Sequence, residues 1–344
     1  MVDFYYNDVD VNRIFVENTN EEINSSFDDL VKSSWHKAQA NGVCKYKLEI
    51  QCRKIPGSIS LLVQLNTQRT TKRRVPLKFT EVDSTFDPDQ FNFTKIKDNE
   101  VLFDIYKGDK DGLLGSAIIN ASPFAIGHIL LVPDVHLCRP QMLTERAIQL
   151  ALDTQALSTD HTLVTVFNSL CGQASVNHLH LHCYYMPQTQ DEIQPSFLLQ
   201  QQFSKLLEIS NKCYICNDLP VPAFLFTVSS ANDITVLSRK ISKITDFFVS
   251  QGIAHNFAAV KYRAPTGGST VRVFLWVRKK LSDVHFNIKI GFGACELAGH
   301  VFAGSELYEN LSEHDMNKVY KESLLPCDQF QLIVEQVNSI LASN

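Results

Sequence analysis

The chain has 344 residues, about two domains' worth at roughly 150 residues each, and 44% of them are hydrophobic, 10% aromatic and 20% charged. That composition buries a substantial core and excludes both an unfolded, highly charged chain and a small disulfide scaffold. Thirty-seven acids against 32 bases, a net charge of −5, exclude the global positive field of a bulk nucleic-acid binder.

Residues 1–41 are polar and acidic and read as a peripheral N-terminal extension, weakly helical and without a core strand. The start MVDFYYNDVDVNRIF lacks the basic and then apolar run of a secretory signal. No window reaches ~18 uninterrupted apolar residues, so neither export nor a membrane partner is expected. Short apolar or alternating runs at 46–50 and 58–65 predict strands, and a basic stretch, Arg69-Thr-Thr-Lys-Arg-Arg74, follows them. Its Arg73 and Arg74 could hold a phosphate, although a run of charge is more often a solvated loop.

From residue 101 the pattern is clearer. Strands are predicted at 101–106, 116–119 and 128–132, a helix from about Thr144 with Ala147, Ile148, Ala151 and Leu152 on one stripe, and strands at 163–167 and 176–185. The plan repeats loosely: a strand at 223–228, an amphipathic helix at 233–251, strands at 257–262 and 271–277 joined across Pro265-Thr-Gly-Gly-Ser, and helices from Glu313 onward. Hairpin-length links predict an α+β fold with an antiparallel sheet rather than a parallel doubly wound one. The expected division is two similar halves, 42–195 and 196–344, with no long linker between them.

The chemistry concentrates in Asn177-His178-Leu179-His180-Leu181-His182. On a strand, spacing two puts His178, His180 and His182 on one face. Three imidazoles there are costly to desolvate as mere packing. Two readings compete: a metal site completed by a distant ligand such as His128, His136, His161 or His300, or a histidine nucleophile flanked by histidines that fix its tautomer and bind anionic oxygens. The preceding Cys171-Gly-Gln-Ala-Ser175 favours the nucleophile, because small residues let backbone N–H groups and the Ser175 hydroxyl approach a phosphate.

Other features are weaker. Cys213-Tyr-Ile-Cys216 lacks a second pair and reads as core thiols. The nine cysteines, sparse and odd in number, predict reduced thiols in a cytoplasmic protein. Gly291-Phe-Gly293 reads as a kink or bulge in a strand. Lys261 and Arg263 face either a diphosphate or solvent.

Two blocks, Ser122-Pro-Phe-Ala-Ile-Gly-His-Ile-Leu-Leu-Val-Pro133 and Phe167-Asn-Ser-Leu-Cys-Gly-Gln-Ala-Ser-Val-Asn-His-Leu-His-Leu-His182, resemble the histidine-triad superfamily of nucleotidyl transferases and hydrolases. With Leu62-Val-Gln-Leu-Asn66, Phe86-Asp87, Phe91-Asn-Phe-Thr-Lys95, Glu100-Val-Leu-Phe103 and Ala294-Cys-Glu-Leu-Ala-Gly-His300, the chain from about residue 42 onward is similar to the GDP-hexose phosphorylases. Plant members carry Gln where this chain has His182, which favours the animal, GDP-D-glucose branch. The basic stretch from Arg69 also differs from the glycine-containing plant version.

The resemblance implies a sheet made of two triad-like halves, of which only the first keeps the histidines. It makes His180 the nucleophile of a guanylyl-histidine intermediate, with His178 and His182 assisting and Ser175, Asn168 and Gln173 near the substrate. It also implies no metal and no cofactor, and a GDP-sugar and inorganic phosphate as partners. A triad hydrolase using water, a GDP-L-galactose-type phosphorylase, a zinc hydrolase and a non-catalytic nucleotide-binding module are the alternatives.

Overall fold

Burial along the chain sorts the elements into two sheets and the helices that cover them. The computed structural model describes residues 2–16, 25–189, 197–210, 212–264 and 268–343. The chain opens with strand β1 (Val2–Tyr6) and helices α1 (Asp8–Val16) and α2 (Ser26–Ala40), then strands β2 (Gln51–Ile55) and β3 (Leu61–Leu65) and the short helix α3 (Thr67–Lys72). Strands β4 (Val101–Lys107), β5 (Leu113–Ile119) and β6 (Ile129–Val132) lead to helix α4 (Glu145–Leu157), which Thr144 caps by accepting from Ala147 N–H at 3.2 Å. The hairpin of β7 (Leu163–Asn168) and β8 (Leu181–Tyr185) closes the first set.

A second set repeats that order. Strands β9 (Leu206–Ser210), β10 (Cys213–Cys216) and β11 (Ala223–Val228) precede helix α5 (Ala231–Ser250), and the hairpin of β12 (Ala254–Arg263) and β13 (Ser269–Arg278) follows. Residues 265–267, in the stretch expected to join this hairpin, lie outside the described residues. Short helices α6 (Ala294–Leu297) and α7 (Ser305–Tyr308) flank strand β14 (His300–Ala303), and helices α8 (Glu313–Ser323) and α9 (Cys327–Ala342) complete the chain.

The large sheet runs β1-β4-β5-β6-β8-β7-β12-β13-β11-β10-β9, and the small one β14-β3-β2. Only β1 with β4 and β14 with β3 pair in parallel; the other described pairings are antiparallel. Both sets therefore hold three strands, a helix and a hairpin, and they meet back to back at β7 and β12, where Asn168 pairs with Asn256 and Val166 with Ala258. The expected α+β architecture is the one observed.

Each face of the large sheet is covered, so its central strands are buried on both sides. Helices α1, α2, α4, α5 and α9 pack on one face through residues such as Trp35, Ile148, Ile241 and Val337. The small sheet and α8 cover part of the other, against Val166, Tyr184, Phe274 and Trp276. A row across that second face reads His182, Val166, Ala258, Phe274. The second half thus presents phenylalanine where the first presents histidine.

Four local expectations change. The N-terminal segment is not peripheral: β1 extends the sheet, the Tyr6 hydroxyl donates to buried Asp153 at 2.6 Å, and Phe27, Val31 and Trp35 lie in the core. Residues 46–50 form no strand; β2 begins at Gln51. The strand expected over 176–185 begins only at Leu181. Lys261 faces the helices, where its ammonium donates to the carbonyls of Gln155 at 3.1 Å and Ser158 at 2.7 Å, while Arg263 is exposed.

Candidate active site

After Asn168 the chain reverses through a tight loop in which Cys171 and Gln173 take φ of 62° and 93°. Left-handed backbone strains residues that carry a Cβ. Between them Gly172 is needed for room, because a Cβ there would meet Ser169 Oγ at 2.8 Å and the His255 carbonyl at 2.9 Å. The reversal presents half-buried Ser175 beside the basic stretch, and Arg74 donates to the Ser175 carbonyl at 3.1 Å. The guanidinium of Arg74 lies 4.5 Å from the Phe91 ring, a cation–π arrangement that holds it in place.

The triad does not stand on one regular strand. The backbone still bends at His178, whose ring sits between Phe86 and Phe93 at centroid distances of 5.4 and 5.3 Å. His178 Nδ1 accepts from Phe93 N–H at 3.1 Å. Burial lowers its pKa to about 4, so the ring is neutral and anchors the loop that carries Phe93.

His180 is the next imidazole. Its Nδ1 lies 2.8 Å from the His178 carbonyl, which can only accept, so Nδ1 bears the proton and Nε2 keeps its lone pair. Burial, opposed by that carbonyl, lowers its pKa to about 4. Gln141, buried on the segment before α4, fixes the backbone: its Oε1 accepts from His180 N–H at 2.9 Å, and its Nε2 donates to the carbonyls of His180 and Asn168, both at 3.0 Å.

His182 is held through a fourth histidine. Phe124 N–H donates to His128 Nδ1 at 3.3 Å, and His128 Nε2 lies 3.0 Å from His182 Nδ1. A backbone N–H cannot switch roles, so the His128 proton sits on Nε2 and is donated to His182 Nδ1. The neutral His182 ring then carries its own proton on Nε2. Burial, with the neighbouring histidines and Arg69, pushes both pKa values well below the usual imidazole range. Asn120 Nδ2, whose Oδ1 accepts from Ser122 N–H at 2.9 Å, also lies 3.3 Å from His128 Nε2; with the proton on Nε2 this approach is a donor–donor contact and not a hydrogen bond.

Positive charge converges from α3. Arg69 donates to the Ser122 carbonyl and lies 5.2 Å from the Phe124 ring. Arg73 caps the helix, where desolvation and the Arg69 charge lower its pKa and Glu296 opposes them. Glu296, buried on α6, accepts from Gly293 N–H at 2.8 Å, and burial raises its carboxyl to about 7. Gly291 and Gly293 precede α6 and lie on no strand. A Cβ on Gly293 would meet Asn168 Oδ1 at 2.8 Å and Gln173 Cβ at 2.9 Å, so this glycine allows a close approach of the second half to the loop before the triad.

Asn168 is engaged structurally: its Oδ1 accepts from Asn256 Nδ2 at 2.7 Å and from Ala294 N–H at 2.8 Å. The structure thus brings together His178, His180, His182, Ser175, Asn168, Gln173, Arg73 and Arg74. Gln141, Arg69 and Glu296 are additional residues, and His128 enters as a partner of His182. Nothing in the spacing around Gln141 or Glu296 marks them; the Gly-His opening of β6 was the available signal for His128. Cys213 and Cys216 are buried, unpaired thiols on β10. Among the described residues, no three His, Cys, Asp or Glu side chains converge to hold a metal ion. A cleft of about 420 Å³ borders the triad loop at Asn177, lined also by Phe79, Ser84, Thr85, Asp87 and Gln90.

The models of the GDPGP1-like N-terminal and C-terminal domains match residues 26–184 and 180–344. GDP-D-glucose phosphorylase 1 of Danio rerio is 33% identical over 98% of both chains. The Homo sapiens protein of that name is 34% identical over 89% of this chain and 81% of its own. GDP-L-galactose phosphorylase 2 of Arabidopsis thaliana is 26% identical over 94% of this chain and 78% of its own. Among solved structures, yeast Ap4A phosphorylase Apa2 in complex with AMP superposes with a TM-score of 0.60 over 88% of this chain and 98% of its own, at 16% identity. That last likeness speaks to the fold alone.

Proposed function

The chain belongs to the GDPGP1-like family, and from that premise we infer that it is a GDP-D-glucose phosphorylase, converting GDP-D-glucose and inorganic phosphate to GDP and glucose 1-phosphate. The observation that carries the chemistry is the locked tautomer of His180, whose Nδ1–H is spent on the His178 carbonyl at 2.8 Å. A neutral imidazole with a bare Nε2 is a nucleophile ready for phosphorus.

In the first step His180 Nε2 attacks the α-phosphorus and the bond to the bridging oxygen breaks. Hexose 1-phosphate departs as an anion with a last pKa of about 6, so it needs little help from an acid. The new N–P bond places positive charge on the ring, and the His178 carbonyl already faces Nδ1–H to receive it. In the second step an oxygen of inorganic phosphate attacks the guanylyl phosphorus, the N–P bond breaks, and GDP leaves. Arg69, Arg73 and Arg74 supply charge for the diphosphate, and His182 Nε2–H donates to a phosphoryl oxygen. Ser175 and Gln173 border the same space.

The reading extends to guanine as the base, to 42–195 and 196–344 as the two functional halves, and to a cytosolic setting. The last is supported by nine cysteines without a disulfide. The test is incubation of chelator-treated protein with a panel of nucleotide sugars, with and without phosphate. Phosphate-dependent release of GDP from GDP-D-glucose is expected. Equal rates without phosphate indicate a hydrolase, and activity lost to chelation and restored by zinc indicates a metal site.

A further inference from the structure

Three consecutive carbonyls of the loop before β6 are each received by a side chain from the segment around β3. The Ser122 carbonyl accepts from Arg69. Pro123 accepts from the Tyr46 hydroxyl at 2.6 Å and from Asn66 Nδ2 at 3.3 Å. Phe124 accepts from Gln64 Nε2 at 2.7 Å. The N–H of the same Phe124 is the donor that fixes His128.

Behind Gln64 the chain of bonds continues into β14. Because the amide nitrogen of Gln64 faces a carbonyl, its Oε1 must accept, and His300 Nε2 lies 2.8 Å from it. His300 therefore carries its proton on Nε2, and its bare Nδ1 accepts from the Tyr184 hydroxyl at 3.2 Å. Gln64, His300 and Tyr184 are all fully buried. The orientations of Gln64 and His128 follow from the carbonyl and N–H of Phe124, which cannot change role, and those of His300, Tyr184 and His182 follow in turn from these two. Donation runs one way, from Tyr184 through His300 and Gln64 to the Phe124 carbonyl; from the Phe124 N–H it resumes through His128 to His182. Tyr46 and Asn66, acting on the Pro123 carbonyl, polarise the very peptide whose N–H meets His128.

We propose that the small sheet sets the proton position on His182 from outside the triad, with Gln64 and His300 as positioning residues. The inference rests on the triad being the guanylyl-transfer centre. Without the Gln64 donor the buried Phe124 carbonyl loses its partner, the loop shifts to find another, and the Phe124 N–H leaves His128. The pair His128 and His182 can then reverse its proton. His182 Nε2 would present a lone pair to phosphoryl oxygens instead of a hydrogen.

The experiment compares Gln64→Met and His300→Phe, which remove donors at similar size, with His300→Gln, whose amide can still donate to Gln64. Tyr46→Phe tests the same peptide from its other side and leaves the core filled. Histidine-selective ¹⁵N NMR of the resting enzyme reads the His182 tautomer; steady-state kinetics on GDP-D-glucose read kcat and KM. The first two variants should move His182 from the Nε2–H form to a mixture and lower kcat by about tenfold to a hundredfold, with KM changed less than about threefold. His300→Gln should restore both readouts, and Tyr46→Phe should shift both in the same direction by less. Folded variants that keep the wild-type tautomer and kcat overturn the proposal. A tautomer shift in a protein that never turns over GDP-D-glucose would sink the substrate reading while upholding this one.

Discussion

Gln141 stands where a strand partner would stand for His180, accepting from its N–H at 2.9 Å and donating to its carbonyl at 3.0 Å. The same amide reaches the Asn168 carbonyl at 3.0 Å, so one side chain bridges the gap between the end of β7 and the residue before β8. Replacing Gln141 by Leu leaves three backbone groups without a partner. That should cost about 2–4 kcal/mol, measured by urea unfolding, and should lower kcat more than it raises KM. A variant with unchanged stability would show that water or another side chain replaces the amide.

His180→Ala and His180→Asn should abolish both turnover and covalent labelling, costing several orders of magnitude in rate. With α-labelled GDP-D-glucose and no phosphate, the intermediate should accumulate on the wild type, survive an alkaline quench and map to His180. Circular dichroism and melting should remain close to wild type. Label on another residue, or GDP formed at the normal rate by His180→Ala, would refute the assignment.

His182→Gln should be milder than His182→Leu. A glutamine amide can accept from His128 Nε2 with its oxygen and donate to phosphate with its nitrogen, reproducing the inferred direction of donation across the 3.0 Å contact. The expected losses in kcat are about tenfold for Gln and at least about a hundredfold for Leu. Equal losses would mean that His182 does not act as a donor.

The pH dependence of the first half-reaction should betray the burial of His180. Its pKa is lowered to about 4 from an ordinary 6.5 or so, so the proposed nucleophile stays neutral well into the acid range. Release of hexose 1-phosphate in a single turnover, with phosphate omitted so that its own ionisation does not intrude, should be flat from pH 8 to about 5.5. It should fall as pH approaches 4. A midpoint near 6.5 would place the nucleophile in a solvated environment instead.

The legible parts of the sequence were those in which periodicity reports burial directly. The stripe of Ala147, Ile148, Ala151 and Leu152 and the runs that became β4 to β7 and β11 to β13 are buried as their pattern demands. The weak helical periodicity around Phe27 to Trp35 is legible, but not that Phe27, Val31 and Trp35 belong to the core, because an acidic, polar background masks the buried face of α2. The extra length assigned to β8 has another cause. Alternation of histidine and leucine is satisfied equally by a strand and by a bend, and it is Phe93 N–H on His178 that decides for the bend. Lys261 shows the limit of alternation, which says which side chains share a face but not which face the substrate uses. Gln141, Gln64 and Glu296 could not be read at all, since their partners lie elsewhere in the chain and no local rule connects them.

The contact between Gln64 and His300 joins positions 236 residues apart, on neighbouring parallel strands of the small sheet. Pairings of such long range close late, because the loop they span must be ordered before any contact repays it. During synthesis the triad and its loop emerge far ahead of β14. A nascent chain that has passed His182 already holds the proposed nucleophile yet lacks the strand inferred to orient its neighbour. Full competence to transfer a nucleotide is therefore coupled to completion of the polypeptide, and a chain truncated before residue 300 should carry the whole histidine motif yet lack β14 with its core residue Val301, and Tyr308 and Met316 beyond it, and be inert.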